Sequence, residues 1–376
     1  MKKFMLLLIA VIFTACTAGQ PPVQGSKNYT FLTQYISNFT FTEEGAYEAM
    51  RHMDNSVDIL YIDIASGTRT VKGDMTIAPA QTNGYTNLIS FNDCVYFFGC
   101  SSRNGDPSET ESDVLYKFSE DGKLIKKHSF DRLFRPAIGR FVHDGKDLYF
   151  RAAQYVQNEN ELIPDMGLYR LDTDTFETER LCDAPFQIIG AWKNQLIVNV
   201  NIVHGDDYIS YLESIDMTTY EHTRLAEAGR YPWFFAKGKL YNYYLVPGSL
   251  VIYDMDTGQL SEIKIFENDP ADLKNYRAEY HYSDSNILYV ASHTENFTES
   301  RHMYNTDTGE ITPVNMEGFI YGKAGDYYLV TIGQQTIYIG KALYERADNV
   351  YAYVKCEDYI NGNPRFRYIS SSIDYR

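Results

Sequence analysis

Cysteine is scarce in this chain. It occurs only at positions 16, 94, 100, 182 and 356 of 376. That spacing matches no zinc-ligand signature and no disulfide framework. Cys94 and Cys100 lie on or beside one strand, about 20 Å apart if extended, and could bridge only if that strand bent back. Cys94, Cys100, Cys182 and Cys356 are therefore expected as free, small hydrophobes, with no cofactor and no metal. Basic charge is also short: 34 Lys and Arg face 50 Asp and Glu, a formal net charge of −16. A nucleic-acid partner needs a basic footprint, so it is excluded. Docking of the folded domain on anionic lipid is excluded for the same reason.

Long apolar runs are missing as well. The longest, Phe4 to Phe13, follows Lys2 and Lys3 and is too short to span a bilayer, so it reads as a signal peptide over residues 1–15. Thr14-Ala15 before Cys16 has the form of a lipobox, in which Cys16 is acylated and becomes the first mature residue. Cleavage after Ala18 is the alternative. Residues 16–27, rich in Gln, Pro, Gly and Ser, would then be a flexible tether, with membrane contact through the N-terminal lipid only. The expected location is the extracytoplasmic face of the cell membrane, or the exterior if the chain is secreted. Helical patterning is sparse. The best candidate is one turn from Cys356 to Tyr359, ended by Asn361-Gly362-Asn363-Pro364.

Tyrosine and phenylalanine are abundant (33 and 21), and both favour half-buried pleated surfaces. A phrase of β character ending in a tight turn recurs: Leu60-Tyr61-Ile62-Asp63, Leu115-Tyr116-Lys117-Phe118, Leu168-Tyr169-Arg170-Leu171-Asp172, Leu212-Glu213-Ser214-Ile215-Asp216, Val251-Ile252-Tyr253-Asp254 and Met303-Tyr304-Asn305. The interval of about 40–55 residues is what a four-stranded propeller blade needs. A polar turn and an apolar strand precede each phrase, as in Asp144-Gly145-Lys146-Asp147-Leu148-Tyr149-Phe150. The units read as A-B-C-D meanders over 35–75, 86–130, 137–182, 186–226, 231–266, 276–315 and 318–370. The expected fold is all-β, a single β-propeller over residues 28–376. It has about seven four-stranded blades, or six if a terminal unit is degenerate. The ring must be closed, and Tyr29 to Tyr35 is expected to pair with the last blade; Phe366-Arg367-Tyr368-Ile369 competes for that role.

The Cys16 lipobox, the tether and the repeated Leu-Tyr-x-Ile-Asp phrases resemble secreted bacterial β-propeller lipoproteins, similar in outline to TolB-like propellers of uncharacterised function. The resemblance covers about residues 30–370 and implies the fold and the anchor. It carries over no functional residue.

No catalytic motif stands out. Ser119-Glu120-Asp121-Gly122 comes nearest to a sialidase box but has the wrong spacing and no Trp. There is no Gly-x-Ser-x-Gly elbow, P-loop or dinucleotide fingerprint. Asp172-x-Asp174 and Asp254-x-Asp256-x-Gly258 look faintly like calcium loops but lack the further oxygen ligands, so they read as turns. The candidate surface is the set of B–C connections, which open on one face and read as long polar loops. They carry His52, Arg103, Arg151, His204, Asp206, Asp207, His293, Arg301 and His302 as candidate ligand-binding residues. The leading functional reading is a binding or interaction module for a protein or glycan. A glycan hydrolase or lyase with a channel-lining site, and a scaffold subunit of an envelope complex, are the alternatives.

Overall fold

A computed structural model describes residues 30–31, 39–52, 56–77, 86–99, 112–136, 141–158, 161–204, 207–227, 233–242, 249–264, 276–283, 286–293, 299–314, 319–339 and 344–371. The signal-peptide and tether assignments, with Cys16, lie outside these residues.

Among the described residues the strands form seven sheets, each built on an antiparallel four-stranded meander. The second blade shows the plan: A is Thr86–Phe91, B Cys94–Gly99, C Val114–Ser119 and D Leu124–Ser129. B is almost wholly buried in the pattern Cys-Val-Tyr-Phe-Phe-Gly, while D (Leu-Ile-Lys-Lys-His-Ser) alternates towards solvent. The sequence gradient from apolar to polar within each unit thus follows the radius of the ring. A strands of neighbouring blades touch one another, which places them innermost. The fold is a β-propeller, with seven blades among the described residues, and these fall within a few residues of the expected boundaries.

Hydrophobic clusters fill the seams between blades rather than a single centre. Ile89, Tyr96 and Phe98 of the second blade pack on Leu148, Phe150 and Leu171 of the third. Tyr149 and Leu168, on the other face of the third blade, pack on Ile188, Val198 and Val200 of the fourth. The third sheet is therefore apolar on both faces, and its strands read as runs rather than alternations.

Closure differs from expectation at one end. Thr30–Phe31 pairs with His143 and Val142 at the inner edge of the third blade, not with the last blade. The free inner edge of the short strand Val142–His143 offers backbone partners there, and a paired edge is favoured over an open one. The C-terminus supplies the latch instead. Arg367–Tyr368 is the outer strand of the seventh blade, and Ser370–Ser371 adds in parallel to Thr68 and Arg69 of the first. Arg367 donates to the carbonyls of Ile64 and Ala65, and the Tyr353 hydroxyl donates to that of Ile62. A short helix, Cys356–Ile360, lies where the turn pattern placed it.

Cys94, Cys182 and Cys356 are free thiols, and burial pushes the Cys356 thiol up to about 11. Cys100 lies outside the described residues.

Candidate functional site

The two ends of the ring are built differently. At the C–D end, an Asp or Asn closes the tight turn onto the backbone in five of the blades, whereas Ser119 does so in the second and a short helix follows the C strand of the seventh. Asp172 Oδ1 accepts the N–H groups of Asp174 and Thr175, at 2.9 and 2.8 Å. Asp216, Asp254 and Asn305 repeat the arrangement. These backbone bonds, the one from Thr175 foremost, hold the Asp172 carboxyl below its usual range; those from Thr257 do so for Asp254. The Asp-x-Asp phrases are turn chemistry, and among the described residues no group of His, Cys, Asp and Glu is arranged to hold a metal.

The B–C end departs from the sequence reading. Two connections expected as long loops, those of the third and fourth blades, are hairpins, as is that of the seventh. In the third blade, Asp147–Asn158 pairs with Glu161–Asp172 out to Asn158 opposite Glu161. In the fourth, Gln195–His204 pairs with Asp207–Asp216 out to His204 opposite Asp207. In the seventh, Tyr327–Ile339 pairs with Tyr344–Lys355. The reason is visible in the residues. Gln154 to Gln157 and Glu161 to Pro164 keep strand-type apolar residues in facing register, and only two residues of sequence separate His204 from Asp207, the spacing of a tight hairpin. Polar flanks concealed it. The second blade, whose B strand ends at Gly99 and whose C strand begins at Val114, keeps its long connection.

Arg103 and Asp206 lie outside the described residues. His204 and Asp207 are strand positions facing each other at the tip of the fourth hairpin, and His293 is a strand position opposite Tyr276. His302 and Arg301 sit within a strand, on opposite faces by alternation, and both have partners within the fold. Burial holds the His302 imidazole below its usual range. These positions belong to strands of the fourth and sixth blades, not to loops.

His52 is structural. Its Nε2 meets Asp58 Oδ2 at 2.8 Å, Thr76 donates to Asp58 Oδ1 at 2.7 Å, and the His52 and Asp58 side chains are 0% and 2% exposed. The group ties the B, C and D strands of the first blade together beneath the surface. Asp113 and Arg135, 2.8 Å apart, join the second and third blades in the same way.

Arg151 is different. It stands opposite Leu168 in the third hairpin, on the face whose lower residues, Tyr149 and Leu168, pack against the fourth blade. Its Nε is buried with no hydrogen-bond partner. Burial alone lowers its pKa, with no carboxylate among the causes. Beyond it the hairpins carry exposed apolar cross-strand pairs: Val156 opposite Ile163, and Ile202 opposite Ile209. Tyr211 and Arg224, stacked at 4.6 Å, flank the second pair. Sequence reasoning found Arg151 but missed Tyr155, Ile202, Ile209 and Tyr211. Their signal was apolar residues at facing positions beside a two-residue turn.

No protein-family model matches the chain, and no curated protein matches it in sequence. Solved structures similar to it include three propellers. The WD40 domain of SCAP from fission yeast is 10% identical, with 93% of this chain and 85% of that chain covered at a TM-score of 0.44. TolB from Acinetobacter baumannii is 11% identical, covering 91% and 80% at 0.40. The β-propeller domain of the Trilobed protease from Pyrococcus furiosus is 13% identical, covering 77% and 99% at 0.42.

Proposed function

We propose that the chain is a lipid-anchored propeller that binds a protein partner through the B–C end of its ring, centred on the third and fourth blades. The observation that carries the reading is the pair of protruding hairpins. Val156, Ile163, Ile202 and Ile209 are 51, 44, 42 and 50% exposed, in two directly facing pairs. The opposite end closes in short, self-satisfied turns. Aliphatic pairs held on rigid strands lose little entropy when covered, and they suit a protein surface. The anchor rests on the basic start, short apolar core and Thr14-Ala15-Cys16 of the N-terminus.

A photo-crosslinker placed at Ile163 or Ile209 on intact cells should capture a protein, and one at Thr219, in an opposite-end turn, should not. Equal capture from both ends, or none from the hairpins, overturns the reading; glycan captured at the hairpins overturns the choice of a protein. Separately, Cys16→Ala should abolish lipid labelling and release the chain from membranes, and membrane retention by the variant counts against the anchor.

A further inference from the structure

We infer that the seam between the third and fourth B–C hairpins is a binding site for a carboxylate attached to an apolar group, with Arg151 receiving the carboxylate. This rests on the proposed binding face and names the chemistry it takes. The location follows from register. Tyr149 and Leu168 belong to the cluster shared with Val198 and Val200 of the fourth blade, so their face of the third blade looks across the seam. Arg151 follows Tyr149 by two residues and stands opposite Leu168, so it shares that face. Ala153 with Met166, then Tyr155 with Pro164, continue it outward. On the fourth blade the face of Val198 and Val200 continues to Ile202, paired with Ile209, while Val200 is paired with Tyr211. A guanidinium therefore lies at the base of a seam whose upper walls are Tyr155, Ile202, Ile209 and Tyr211.

The guanidinium lacks what such groups ordinarily have. Several other buried or half-buried arginines have carboxylates: Arg69 has Glu48 and Asp348, Arg135 has Asp113, Arg170 has Glu179, and Arg180 has Asp165 and Asp183. Among the described residues no hydrogen bond or ion pair reaches Arg151, although its Nε is shut off from water. A chain with 50 acidic residues and a net charge of −16 has carboxylates in plenty, yet among the described residues none is paired with Arg151. A buried guanidinium presents a planar fork of donors that matches a carboxylate in two-point geometry. Aliphatic and tyrosine walls above it suit an apolar body carried by that carboxylate, such as a C-terminal leucine of a partner chain. The rest of the acidic surface repels strongly anionic partners, which selects for a single carboxylate in an apolar setting.

The test uses the purified full chain with isoleucine δ1-methyl labels, titrated with N-acetyl-leucine and with N-acetyl-leucinamide. The acid should move the Ile202 and Ile209 methyl signals saturably and bind at least about 10-fold tighter than the amide, about 1.4 kcal/mol. Ile163, on the opposite face of its hairpin, should not move. Arg151→Met should abolish the preference for the acid while the remaining methyl spectrum stays native. Ile209→Ser should weaken acid and amide together. Equal binding of acid and amide, an unchanged preference in Arg151→Met, displacement by inorganic phosphate at the same concentration, or no saturable shift would each overturn the assignment. Capture of a protein at the hairpins with no preference for the acid would leave the binding face standing and remove only the carboxylate site.

Discussion

His143 shows how a single residue in the inner ring sets a pH dependence. Its imidazole stacks on Phe91 with ring centroids 4.3 Å apart, and its Nδ1 accepts the Gly145 N–H. Burial pushes its pKa down to about 4, with Asp144 opposing. The folded pKa is below the unfolded one, so the unfolded chain takes up the proton first as the solution is acidified. The stability that His143 contributes is complete above about pH 6.5 and is lost as pH falls towards 4. Urea midpoints measured across this range should fall with acidity, and the fall should be shallower in His143→Gln. An identical slope in both proteins would assign the dependence to other groups. At the same scale, Phe176 and Tyr220 hold left-handed backbone at φ 63° and 58°, where Gly258 and Gly309 serve in other blades. Both rings are buried in interblade clusters, and that packing offsets the backbone cost.

At the scale of elements, the latch is a strand too short to stand alone. Ser370–Ser371 gains its place from backbone pairing with Thr68 and Arg69, from Ser370 N–H to the Gly67 carbonyl, and from Ile369 packing among Phe41, Ile64 and Tyr353. Truncation after Tyr368 should lower the melting temperature by a few degrees and expose the outer edge of the first blade. Limited proteolysis of that blade should speed up accordingly. An unchanged melting temperature would mean that the ring is held by side-chain packing alone. The blade repeats were legible in the sequence because most C strands end in the same Asp- or Asn-based turn, a local device. The hairpin extensions were not. Arg151 to Asn158 carries Arg, Gln and Asn among its apolar residues, and polar residues between strands read as loop until pairing is known.

At the scale of the whole molecule, ring closure centres on Arg69. Its side chain is 2% exposed, and it donates to Glu48 at 2.7 and 3.0 Å and to Asp348 at 3.1 Å. Tyr351 lies beneath it, with its ring centroid 4.9 Å from the guanidinium carbon, and donates to Glu48. Burial opposes the charge, but the two carboxylates more than reverse that and hold the pKa above its ordinary value. Glu48 comes from the first blade and Asp348 from the seventh, so one guanidinium joins the two ends of the ring. Removing it takes the cation away from the buried Glu48 carboxylate and the half-buried Asp348. Arg69→Ala should cost about 3–5 kcal/mol in denaturant unfolding. Glu48→Gln, which keeps the volume and one acceptor, should cost less. Equal and small effects would place closure elsewhere. Gly322 belongs to the same seam: a Cβ there would enter the Phe41 ring, so Gly322→Ala should also loosen it.

The sequence by itself determined the blade, because its information is local. Apolar B and C strands, polar D strands and Asx turns are chosen by residues a few positions apart. It also determined which end of the ring is uniform. Only the tertiary structure decided what depends on residues far apart in the chain. His52 proved a buried strut because Asp58 and Thr76 close over it. The N-terminal strand went to the third blade and the C-terminal strand to the first, because those edges were open. Arg69, one of many surface-type residues in the sequence, became the charge at the closing seam. Arg151 was nominated as one of nine polar residues. It was singled out only when neighbouring blades brought apolar walls to its side and, among the described residues, no paired carboxylate. Partner choice for a buried charge is a long-range property, and no spacing along the chain encodes it.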